Sequence, residues 1–168
     1  KISIDQEEFT WYATLTKSWG KEKTQKYMRA LAKQEIQWRK GHTLITQLMA
    51  AGEFPVSIVY AHRAEGFRLR GAPVDWANGV NPIVVTLNST GLSPKPPHPS
   101  TARLFIDFVL SKPAQQRLRT LSRIPARADV EPFSPRMEQS KLKLKVAPAE
   151  TGAEFKETIR EFREIFGQ

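Results

Sequence analysis

The sequence predicts an α/β domain with a partly parallel sheet. Short runs rich in β-branched and aromatic residues lie at 2–4, 36–38, 56–60, 74–76 and 82–87. Between them, apolar residues recur at helical spacing, as in Trp11, Leu15 and Trp19. Strands alternating with helical patterns are the signature of crossover units and parallel pairing. In addition, several helices carry more apolar surface than four or five short strands can cover, which points to part of a larger, two-lobed protein.

Ile2 and Ile4 alternate with polar neighbours as a short strand. Asp5 followed by Glu8 reads as a capping box that opens the first helix, and Gly20 ends it. A charged helix follows over 21–33, with Tyr27, Met28 and Leu31 as its apolar side. Ile36 and Trp38 give a weak strand signal. After Gly41, the residues Leu44, Ile45, Leu48 and Met49 make a short helix that stops at Gly52. Residues 56–60 read as a buried strand, 61–70 as a helix closed by Gly71, and 74–76 and 82–87 as further strands. A Pro-rich loop at 93–99 delivers a strongly amphipathic helix faced by Ala102, Phe105, Phe108 and Val109. Ser111 caps the next helix, with Pro113 in its first turn. Residues 124–146 are poor in regular signals and hold Pro125, Pro132 and Pro135. A last helix begins at a capping box of Thr151 and Glu154 and carries the stripe Phe155, Ile159, Phe162 and Phe166.

A chain of 168 residues is long enough for a sizeable core, and its formal net charge is +9. A basic balance raises nucleic acid, an anionic membrane surface or an anionic ligand as partners. The charges are dispersed, as at Lys21, Lys26, Arg29 and Lys33. No zinc finger, aromatic-glycine RNA-binding signature or long basic block accompanies them, so nucleic acid is not the expected partner. With no cysteine, disulfide frameworks, thiolate metal sites and thiol nucleophiles are excluded. Asp107 and Glu53 have no nucleophile–base partner nearby, and three histidines are too few for a zinc cluster, so an enzyme is not expected.

The runs GEFPVSIVYAHRAEGFRLRGAPVDW, PHPSTARLFIDFVLSKPAQQRL and RIPARADV resemble the extracellular solute-binding proteins of bacterial ABC importers. The nearest branch is the one similar to ferric-iron-binding proteins, with the type II periplasmic-binding-protein fold. The resemblance implies two α/β lobes with a ligand cleft between them. Residues 1–77 would form a lobe-two segment. Residues 78–125 would be a crossing strand and helices of lobe one, and 126–168 an irregular segment and terminal helix. The N-terminal part of lobe one and any export signal would lie outside this sequence. The resemblance further implies a periplasmic or extracellular location, an ABC permease as partner, a small-molecule or metal solute, and no cofactor. A ligand-sensing domain of a regulator or receptor is the alternative with the same fold. A lobe without all its strands would expose apolar surface, so self-association is expected.

Three places suit a ligand. Gly41, His42 and Thr43 open a short helix, where free N–H groups attract anions. Tyr60, His62 and Arg63 stand at a strand exit. There the ferric branch carries an adjacent tyrosine pair, which falls on His62 and Arg63 in this sequence and is absent. One phenol and one imidazole could still hold a metal, while Arg63 opposes a cation and suits a carboxylate or phosphate. The polar end of a strand explains the same residues without a ligand. Trp11 could line a cleft, although its spacing with Leu15 and Trp19 favours the core. Asp75 and Trp76, after Pro73, read as a structural hinge. The overall charge and the missing tyrosine pair favour an anionic solute, or a metal held with an anion.

Overall fold

The computed structural model describes residues 1–149 and 152–168. Among these are seven α-helices and five short strands, in two compact units: residues 1–86 with 143–168, and residues 87–142. The sequence division at 77 and 125 cuts across both. Residues 78–86 stay with the first unit, because the strand they contain pairs with one at 144–146.

In the first unit, β1 (Ile2–Asp5) is the middle strand of a three-stranded sheet, flanked by β2 (Ile36–Arg39) and β3 (Val56–Ile58). Both pairings are parallel, with Ile2 opposite Ile36 and Val56. The connections between them are helical, as parallel pairing requires. After β1 come α1 (Phe9–Trp19) and α2 (Lys21–Ala32), α3 (His42–Ala50) separates β2 from β3, and α4 (Ala61–Arg68) follows β3. Gly20, with φ of 85°, sits between α1 and α2, a backbone state that favours glycine. A second, parallel pair joins β4 (Ile83–Val85) to β5 (Leu144–Val146). The chain then ends in α7 (Gly152–Phe166).

The core of this unit gathers Ile4, Phe9, Tyr12, Leu15, Met28, Leu31 and Phe162. Phe162 is wholly buried and meets Phe9 edge-on at 5.3 Å, a favoured aromatic geometry. The Phe155, Ile159, Phe162 and Phe166 stripe therefore has its partners in α1 and Trp38. Tyr12 adds a polar fastening, donating its hydroxyl to Glu161 of α7 at 2.8 Å, while Lys21 pairs with the same carboxylate.

Several expectations are corrected. Asp5 does not cap α1. It is the last residue of β1, its carboxylate accepts the Glu7 and Gly41 N–H groups, and the helix begins four residues later, after Glu8. Residues 56–60 are not a buried strand: β3 lies at the sheet edge, Val56 is 53% exposed, and the strand stops at Ile58. Residues 74–76 form no strand, because Val74 donates its N–H to Ala72 at 2.8 Å and turns away from ladder pairing. The irregular stretch 124–146 contains β5, which alternation with Lys143 and Lys145 disguises. The capping role expected of Thr151 lies outside the described residues.

The second unit holds α5 (Pro99–Leu110) and α6 (Lys112–Arg119). Ser111 caps α6 by accepting the Ala114 N–H, as its position predicts. Gln115, buried, donates to the Val109 carbonyl at 2.9 Å and accepts the Ala126 N–H at 2.7 Å, fastening α5 to the following loop. The expected apolar face of α5 is present but uncovered: Phe105 is 59% and Phe108 58% exposed.

Candidate functional site

The carboxyl ends of β1, β2 and β3 all open on one cleft of about 940 Å³, whose lining lies within the first unit. In parallel sheets this is where ligands collect, since the loops leaving the strands converge there. The exit of β1 contributes Asp5, Glu7 and Glu8; that of β2 contributes Lys40, Gly41 and His42; that of β3 contributes Val59, Tyr60 and Ala61. Trp11, Trp19 and Tyr27 form an aromatic wall, in which Trp19 and Tyr27 meet edge-on at 5.5 Å. Trp11 also packs on the core, as its spacing with Leu15 predicts.

The residues singled out from sequence divide into two groups. Trp11, Gly41, His42 and Tyr60 line the cleft. Thr43, the second residue of α3, is exposed and is not among the lining, nor are His62 and Arg63 in the first turn of α4. Tyr60 precedes α4 with extended backbone and stacks on both imidazoles, at 3.8 Å from His42 and 5.5 Å from His62. The strand exit is thus a His–Tyr–His stack, of which only Tyr60 and His42 reach the cleft.

Gly41 precedes α3 with φ of 97°, a conformation that favours glycine. Its N–H, expected to attract an anion, donates instead to Asp5 Oδ2 at 2.6 Å. The site therefore already holds a carboxylate where an anion would dock. His42 Nε2 lies 3.4 Å from Glu8 Oε1, both side chains nearly enclosed. Burial, reinforced by the neighbouring Asp5 charge, pushes the Glu8 carboxyl up to about 8. Burial lowers His42, with Arg63 adding to that and Asp5 opposing it. At neutral pH both groups are thus uncharged. Nδ1 of His42 and Oγ of Ser57, also in the wall, are buried without a hydrogen-bond partner among the described residues.

Sequence reasoning missed Asp5 and Glu8 as site residues and read Trp76 only as part of a hinge. An acid at the end of the first strand and another three residues on were the available signal, and their spacing fits a capping box equally well. Trp76 lines the cleft with its ring held in place: its Nε1–H donates to Glu65 Oε2 at 2.8 Å. Glu65 is fully buried and also takes two bonds from Arg68. Among the described residues, no three His, Asp or Glu side chains gather where they could hold a metal ion, and no helix is long and apolar enough to cross a membrane. No protein-family model matches the chain, and no curated protein matches it.

Proposed function

We propose that this chain is the second lobe, with part of the first, of a solute-binding subunit of a bacterial ABC importer. It holds a small solute at the strand ends, the other lobe closes over it, and the closed form docks on the permease outside the cytoplasmic membrane. The observation that carries this reading is the convergence of three parallel-strand exits on one cleft with an aromatic wall and a few polar groups. A largely preformed, mostly apolar cleft with convergent polar groups suits reversible capture of a small molecule.

Overall charge favours an anionic solute, or a metal with an anion, and Arg63 would serve either. The lining favours the other sign, because Arg63 lies outside it and the Gly41 N–H is taken by Asp5. Calorimetry of the chain with ferric citrate, phosphate, small carboxylates, neutral sugars and organic cations tests the reading. Saturable binding of one class, accompanied by a change in tryptophan fluorescence, is the expected result. Binding of none of them would overturn it, and tight binding of bare ferric ion abolished by Tyr60→Phe would replace it with an iron binder.

A further inference from the structure

The cleft is one-sided in charge. Asp5, Glu7, Glu8 and Asp75 line it against Lys40 alone. Lys40 Nζ lies 3.2 Å from Glu7 Oε1, so that lysine is already matched. The chain as a whole carries +9, so an acidic lining runs against the general balance and is a local feature. The remaining wall is mostly aliphatic, but Trp11, Trp19, Tyr27 and Trp76 also line it, and ring faces attract cations.

We propose that the cleft takes a small quaternary ammonium cation, with the Glu8 carboxylate, backed by Asp5, as counter-charge and the rings of Trp11 and Trp76 as walls. This names the solute class for the solute-binding reading above and rests on it. A permanently charged ammonium has no N–H to donate, so it needs diffuse negative charge and π faces rather than aligned acceptors. The lining supplies both.

A second property follows from how Glu8 is held. The charged and titratable groups around it are Asp5 from β1, His42 from α3, the Lys40–Glu7 pair at the neighbouring exits, and Arg63 of α4 beyond His42. His42 is lowered and stays neutral above pH 7, so it does not titrate in the window that matters. Glu8, raised to about 8, is mostly neutral at pH 7 and mostly ionised at pH 9. A cation favours the ionised form, so binding at pH 7 releases a proton. Affinity should therefore tighten about tenfold between pH 7 and pH 9, following the ionised fraction.

The experiment is a titration of the whole chain with tetramethylammonium chloride at pH 7, 8 and 9 and fixed ionic strength, read by tryptophan fluorescence and calorimetry. Tetramethylammonium does not titrate, so any pH dependence belongs to the protein. Saturable binding is expected, tightening about tenfold over that range, with proton release at pH 7 visible as a buffer-dependent heat. Glu8→Gln should abolish the pH dependence, and Trp11→Leu should weaken binding several-fold, both with unchanged far-ultraviolet circular dichroism. If phosphate, citrate or a sugar binds and tetramethylammonium does not, the cation assignment is overturned while the solute-binding reading stands. If no small solute of any class binds, both fall. Ammonium binding whose pH dependence survives in Glu8→Gln overturns the role of that carboxyl.

Discussion

Glu8 and His42 leave opposite marks on stability. The Glu8 carboxyl is raised on folding, so its contribution is fully present below about pH 4.5 and is lost as pH rises through about 8. The His42 imidazole is lowered, so its contribution is present above about pH 6.5 and is lost as pH falls. Urea unfolding should therefore show stability declining from pH 6 to pH 9 by an amount on the order of a few kcal/mol, and Glu8→Gln should remove that decline. Trp76→Phe should cost roughly 1–3 kcal/mol in the same measurement, because it strips the indole N–H bond from the fully buried Glu65. Half of this chemistry was legible in the sequence. A helix start, a strand exit and an aromatic near a helix start stand out, which is how Gly41 and His42, Tyr60 and Trp11 were singled out. Asp5 and Glu8 were not, because their partners, the Gly41 N–H and the His42 ring, lie more than thirty positions away.

At the scale of elements, helices were the more readable because their apolar period is local. Strands this short depend on a partner that the segment itself does not specify. The Leu144 and Val146 alternation becomes a strand because β4 offers a free edge, while 74–76, with an equally apolar pattern, finds none. The terminal helix shows how a periodic stripe acquires meaning. Its apolar face fills the core through Phe162, and its polar shoulder clasps α1 through Glu161. Desolvation and the adjacent Glu161 push the Tyr12 hydroxyl up to about 12, so it remains a donor throughout the physiological range. Tyr12→Phe keeps the ring and loses that bond, and should lower the unfolding free energy by about 1–2 kcal/mol without changing the denaturant slope.

For the molecule as a whole, the α/β class was legible from alternation. The order β2-β1-β3 was not, since nothing in a strand's own residues says which neighbour it takes. The mismatch between apolar helices and available sheet has a concrete counterpart in α5, whose Leu104, Phe105 and Phe108 are each more than half exposed. Exposed clusters of this kind favour association. Light scattering should show concentration-dependent oligomers that Phe105→Glu reduces, with monomer stability changed by no more than about 0.5 kcal/mol, as for other surface substitutions.

The central place of β1 also governs how the chain reaches its fold. Ile2 finds its two neighbours at residue 36 and at residue 56, so neither half of the sheet is local. The helices α1 and α2 can form early from nearby contacts, but the loop they span must close before the first ladder exists, and the second ladder needs a longer closure still. The cleft, assembled from the ends of all three strands, is therefore among the last features to appear during folding and among the first to be lost when β3, a three-residue edge strand, comes away.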